Sequence, residues 1–227
     1  MLRRRFENEL QRLENEVLAL GNMVQHALSQ AVEQLRTRDL EGSRQVIEED
    51  VRINAKRFQI ESDVLVLIAT QQPIARDLRA LAAILEIIRE LERTGDYAKG
   101  IGKINLLIGE QELIKPLLDI PRMADKALDM LSRALDAYLA RDMEAAIAIS
   151  QEDDEVDDLY NQVRRELMTI VFSDPAKVEQ ANLLLWAAHN LERAADRVTN
   201  ICERIVFFVT GALGDLKAPD EQDKYPS

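Results

Sequence analysis

Apolar side chains recur along this chain at alternating spacings of three and four residues, the pattern of helices that each bury one face. Prolines and glycines interrupt the pattern sparsely, and six helices are predicted, over about 3–36, 40–70, 74–108, 117–140, 143–172 and 176–212. The third carries an apolar stripe through Leu81, Ile84, Ile88, Leu91, Gly95, Ala98 and Gly102; the sixth carries one through Leu184, Ala188, Leu191, Ala195, Val198, Cys202 and Ile205. Asp39 and Asp142 follow short turns and are suited to cap the helices after them. Ser173 or Asp174, standing before Pro175, suits a cap followed by proline at the first helical position.

The second half repeats the first. RDLEGSRQVIEED (38–50) matches RDMEAAIAISQED (141–153), 103 residues later, and LERTGDYAKGI (91–101) matches LERAADRVTNI (191–201), 100 residues later. Pro73 and Pro175 correspond, 102 apart. The repeat carries turns, prolines and carboxylates as well as leucines, so it is a duplication of a three-helix unit. The expected fold is all-α, two tandem three-helix bundles, with a first repeat over 1–112, a second over 113–212 and a polar, disordered tail over 213–227.

Composition narrows the function. Aromatics make up 4% of the 227 residues, with 8 Gly and 6 Pro, which argues against an all-β chain and suits two slender bundles rather than one large core. Twenty-nine basic against 41 acidic residues give a net charge of -12, which speaks against nucleic acid as a partner. A single cysteine, Cys202, excludes an internal disulfide or a thiolate zinc site. The N-terminal stretch is not a signal peptide and no 18-residue apolar run exists, so a cytoplasmic protein is expected, meeting a membrane only through partners. No Walker loop, GxGxxG, HExxH or nucleophile elbow is present, and neither histidine completes a Glu-x-x-His.

The acidic residues have an order of their own. Glu92 and Asp96, and again Glu192 and Asp196, stand four apart on one helix face. The preceding helices carry Asp50 and Asn54, then Asp153 and Asp157. Folding the first hairpin about Pro73 sets Asp50 against Asp96 and Asn54 against Glu92. Folding the second about Asp174–Pro175 sets Asp153 against Asp196 and Asp157 against Glu192. One such pair is ordinarily a solvated face; two facing, duplicated pairs of oxygen donors make a metal-site pattern suited to iron, manganese, magnesium or calcium. His189, one turn before Glu192, is placed to ligate or hydrogen-bond there. Arg93 and Arg193, beside each Glu, and Arg76 and Arg79 are candidate partner contacts, with local salt bridges as the simpler role. Trp186 and Cys202 are expected in the packing, His26 at the surface. A helical-bundle carboxylate enzyme is the alternative reading of the acidic clusters.

ELERTGDYAKGI (90–101), NLERAADRVTNICE (190–203), RDLRALAAI (76–84) and EEDVRIN (48–54) resemble the PhoU family of regulators associated with bacterial phosphate ABC transport. The resemblance runs to about residue 212. It implies two three-helix bundles and a non-enzymatic, cytoplasmic negative regulator. Such a protein acts as an adaptor between the transporter's ATPase and the phosphate-sensing histidine kinase, keeping phosphate-starvation genes off when phosphate is plentiful. It also implies a homodimer, and clustered metal, iron or zinc, with manganese or magnesium as alternatives, on Asp50, Asn54, Glu92, Asp96, Asp153, Asp157, Glu192 and Asp196. Asn54 stands where the family has an acid, so the first site is expected to bind more weakly.

Overall fold

The computed structural model describes residues 2–212 and Leu216. Its helices are α1 (Leu2–Thr37), α2 (Leu40–Gln71), α3 (Arg76–Ile108), α4 (Asp119–Ala140), α5 (Met143–Ser150), α6 (Asp153–Ser173) and α7 (Val178–Thr210), with a 3-10 turn at Pro175–Lys177. The six-helix plan holds with one interruption: the fifth predicted helix is broken at Gln151 and Glu152, giving α5 and α6. No proline or glycine marks the break. Glu152 there turns to α4, accepting hydrogen bonds from Arg133 Nη1 (2.8 Å) and Lys126 Nζ (2.7 Å). Those bonds, Arg133's above all, hold its carboxyl down at about 2. The expected tail lies outside the described residues apart from Leu216, which packs partly buried against the core.

Both predicted caps form in the same way. The Asp39 carboxylate accepts the Gly42 amide at 2.9 Å and that of Asp142 the Ala145 amide at 3.0 Å. Each follows an arginine in the left-handed region, Arg38 (φ 63°) and Arg141 (φ 56°), which reverses the chain without glycine. Between Ser173 and Asp174, it is Asp174 that caps, accepting from the Ala176 amide. Helix α3 begins at Arg76, two residues later than predicted, because the turn occupies Gln72–Ala75 with left-handed backbone at Gln72.

Helices α1, α2 and α3 pack as one bundle and α4, α5–α6 and α7 as the other. The bundles are not separate. Their buried residues form one cluster through both, so the expectation of two slender cores gives way to one continuous core. The reason is that α3 and α7 are buried on two faces each. Besides the predicted stripe, α3 buries Ala80, Ala83, Ile87, Glu90, Thr94, Ile101 and Ile104. This second stripe meets α7, and α1 meets α4, so four helices form the middle while α2 and α5–α6 flank it. Arg79 lies against Gly211, Glu90 bonds Asn200, and Gly100 lies under Asn190; the residue numbers of all three pairs sum to 290, as antiparallel helices require. The approach is close at position 100, where a methyl group would stand 2.8 Å from Asn190 Nδ2 and that side chain would have to shift. Among the described residues no helix is long and apolar enough to cross a membrane.

Candidate functional site

Helices α2 and α3 bring Asp50, Glu92 and Asp96 together, as the hairpin register predicts, but the register slides. Because the turn is centred beyond Pro73, Ile53 comes to lie against Gly95 and Asp50 faces Lys99. Asp50 is only 3% exposed. Its Oδ2 accepts from Lys99 Nζ at 2.7 Å and from Asn54 Nδ2 at 3.0 Å, while its Oδ1 is buried with no hydrogen-bond partner. Lys99 also reaches Asp96 at 3.9 Å, whose side chain is 52% exposed. Burial holds the Glu92 carboxyl above the usual carboxylate value; the charges of Asp96 and Asp50 add to this, and Arg57 and Arg93 oppose it.

The second cluster is neutralised from its own helix. Arg193 Nε and Nη2 donate to the two Glu192 oxygens, each at 2.7 Å, and Arg193 Nη1 stands 2.9 Å from Asp196 Oδ2. These carboxylates, Glu192 first, raise the Arg193 pKa above its ordinary value. Asp153 is buried at the start of α6, and Asp157 is half-buried one turn on. His189 does approach the cluster, its Nδ1 3.4 Å from Glu192 Oε2. Its ring sits between Tyr160 and Trp186, with centroids 6.1 and 6.0 Å away. Trp186, expected in the packing, is instead 62% exposed, so this aromatic group opens to solvent beside the acidic pair. The first repeat has Arg57, Glu86 and Arg89 at the corresponding positions, so the aromatic group belongs to the second repeat alone.

Among the described residues, no three His, Cys, Asp or Glu side chains stand close enough to hold a metal ion. The donor sets explain why. Asn54 offers its amide N–H to Asp50, and a cation entering the first cluster would have to displace Lys99. One entering the second would have to displace Arg193. As folded, the protein's own cations, Lys99 and Arg193, meet these carboxylates. Of the four arginines named as candidate contacts, Arg76 is exposed, Arg79 is half-buried beside Gly211, Arg93 bonds Glu90, and Arg193 is committed to its acidic neighbours. Cys202 is buried, and burial pushes its thiol up to about 12, so it is core rather than nucleophile.

A third polar group, absent from the sequence reading, ties the repeats together. Glu90, 6% exposed, accepts from Asn200 Nδ2 (2.9 Å) and Arg197 Nη1 (3.1 Å) across the α3–α7 interface, and from Arg93 Nη1 (3.3 Å) on its own helix. Its signal in the sequence is a departure from the duplication: Asn190 corresponds to Glu90, and Gly100 to Asn200.

Glu92 provides a test of the first cluster. A raised carboxyl pKa means that the ionised form costs the folded state free energy above that pKa. The cost is released as pH falls and the group protonates. Glu92→Gln is therefore expected to raise Tm at pH 7, by about 1–2 °C for a half-buried group. The gain should shrink as the pH approaches the unfolded carboxyl value of 4.5. Calorimetry at both pH values checks this, and a lower Tm at pH 7 would contradict it.

Comparison with known proteins places this architecture. The sequence profile of the PhoU domain matches twice, over residues 17–104 and 120–205. The chain is 37% identical over 220 residues to the phosphate-specific transport system accessory protein PhoU homolog of Clostridium acetobutylicum, covering 95% of this chain and 99% of that protein. It is 33% identical over 219 residues to the accessory protein PhoU of Escherichia coli, covering 96% and 91%. The crystal structure of the phosphate transport system regulatory protein PhoU from Streptococcus pneumoniae superposes with a TM-score of 0.86 at 33% identity, covering 92% of this chain and 99% of that one.

Proposed function

The chain belongs to the PhoU family, and from that membership we propose that it is a non-enzymatic negative regulator of phosphate uptake and phosphate-starvation signalling. It acts on the cytoplasmic side as an adaptor between the ATPase of a phosphate ABC transporter and a phosphate-sensing histidine kinase. The observation that carries this is the double match of the PhoU domain, one to each repeat, with relatives aligned over nearly their whole length. The chemistry agrees with it. Lys99 and Arg193 meet the acidic clusters, and Cys202 is buried.

The net charge of -12 makes control of genes indirect, through protein partners. The exposed Trp186, with half-buried His189 and Tyr160 beside it, has the composition of a protein contact, since aromatic side chains bury large area at low entropic cost. Deleting the gene in its host is the decisive experiment. Phosphate-starvation genes are expected to stay on in phosphate-rich medium, and the tagged protein is expected to retain the transporter ATPase or the kinase in a pull-down. Unchanged phosphate control in the deletion strain would sink the proposal.

A further inference from the structure

On the exposed side of the α3–α7 seam two arginines from different helices share one buried acid. Arg93 Nη1 donates to Glu90 Oε1 at 3.3 Å and Arg197 Nη1 to Glu90 Oε2 at 3.1 Å. The register that joins Glu90 to Asn200 sets Arg93 opposite Arg197. The side chain of Glu90 is 8% exposed, that of Arg197 17% and that of Arg93 50%, so the carboxylate forms the floor and the guanidiniums stand above it. Each guanidinium carries several N–H donors and gives Glu90 one of them. Arg89 stands one turn before Arg93 on the same face, with Glu86 3.6 Å away, beyond hydrogen-bond reach.

The neighbouring acids are engaged elsewhere: Asp96 faces Lys99, Glu203 faces Arg204, and Glu192 and Asp196 face Arg193. In a chain of net charge -12, three guanidiniums around one buried carboxylate and one loosely held are a local excess of positive charge with unused donors. The duplication does not repeat the arrangement. Arg193 corresponds to Arg93 and Arg197 to Tyr97, 100 residues apart, so the matching position across the seam pairs Tyr97 with Arg193. There a single arginine is already held by two acids.

We propose that the α3–α7 seam binds a phosphate group between Arg93 and Arg197, with Arg89 beside it. Guanidinium forks match the oxygens of phosphates and carboxylates, and bonds to charged oxygens are the strong ones. Two features select phosphate. The donors come from two helices on two sides of the site, and a tetrahedral group directs oxygens to each, where a planar carboxylate offers both of its oxygens in one direction. The charge agrees as well. Glu90 neutralises one arginine of the facing pair, and a group of about -1.5 to -2 is balanced by the other together with Arg89. Glu90 also holds both guanidiniums in place from below, so the anion meets donors that are already ordered. The site is open to solvent on one side, and dissociation at about 1 mM is expected. Free phosphate and a phosphoryl group carried by a larger molecule present the same oxygens.

Thermal melts at constant ionic strength test the site. About 20 mM phosphate in place of chloride is expected to raise the native Tm by about 4–7 °C. Arg93→Ala is expected to lose most of that rise and Arg89→Ala part of it, while Arg165→Ala, which removes an exposed arginine of α6, keeps it whole. Each variant is compared with itself in chloride, so its own stability does not enter. O-phosphoserine at the same concentration separates the sources: an equal rise admits a phosphoryl group on a larger molecule, and no rise restricts the site to the free anion. A native Tm that is equal in phosphate and chloride overturns the proposal. So does a rise that Arg93→Ala leaves intact, which would be the general stabilisation of proteins by phosphate rather than binding at this seam.

Discussion

Glu90→Ala is expected to lower the unfolding free energy by about 3–4 kcal/mol, because removing one member of a buried ion pair leaves the other charge uncompensated. Glu90 holds both Arg197 and Asn200 across the α3–α7 interface, and Arg197 Nε is already buried with no hydrogen-bond partner. With the carboxylate gone, the Arg197 guanidinium, 17% exposed, would be left at the α3–α7 interface without its partner. For a chain of this size the loss corresponds to a fall in Tm of about 10 °C. Glu90→Gln should fall between, since its amide oxygen still accepts from Asn200 but carries no charge. Glu90→Leu combined with Arg197→Met should recover most of the stability, because a buried pair replaced as a whole by apolar groups costs little. Urea unfolding of the three variants measures all of this. A loss below about 1 kcal/mol for Glu90→Ala would show that the pair is solvated and does not hold the repeats together.

That the pair had to be found in the structure shows where sequence reasoning stops. Local signals were legible: Asp39 and Asp142 cap the helices they were expected to cap, and both caps follow an arginine that reverses the chain. The facing of α2 and α3 was legible too, because an antiparallel hairpin relates residues by a constant sum. The register was not, because the constant depends on the turn. The midpoint taken at Pro73 set Asp50 against Asp96, whereas the left-handed Gln72 and the late start of α3 move the contact toward Lys99. A shift of under one turn was enough to bring a lysine between the facing acids, Asp50 and Asp96. The packing of the two repeats was illegible for another reason. Helices α3 and α7 each carry two apolar stripes, and only the one in register between the repeats was read as a seam. The second runs through Glu90 and Thr94, whose polarity conceals it. At such positions the comparison of the repeats with each other is the better guide: Glu90 against Asn190 and Gly100 against Asn200 mark the interface by their mismatch.

The same comparison frames the second large effect. Asn105→Ala is expected to cost about 3 kcal/mol. Asn105 is fully buried near the end of α3, and its side-chain amide joins three segments, donating to the Gln34 carbonyl (2.9 Å) at the end of α1, the Asp39 carbonyl (3.1 Å) in the turn, and Ser43 Oγ (2.8 Å) in α2. Its oxygen accepts from Arg38, the left-handed residue of that turn, which also donates to the Gly109 carbonyl beyond α3. Alanine would strand the Arg38 guanidinium on one side and leave Ser43 without its amide donor on the other. The second repeat closes the equivalent corner without this network. Ile205 stands for Asn105 and Ala146 for Ser43, both buried, while Arg141 turns away to Glu14 (3.7 Å) and the Phe208 ring (5.1 Å). The corner therefore has an apolar solution as well as a polar one, and the cost lies in mixing them. Asn105→Ile with Ser43→Ala should regain part of what Asn105→Ala loses, with the remainder set by Arg38. Thermal melts of the single and double variants decide the matter. A double variant less stable than Asn105→Ala would mean that the turn after α1 needs its hydrogen bonds, and that the polar corner is fixed by the backbone rather than by packing.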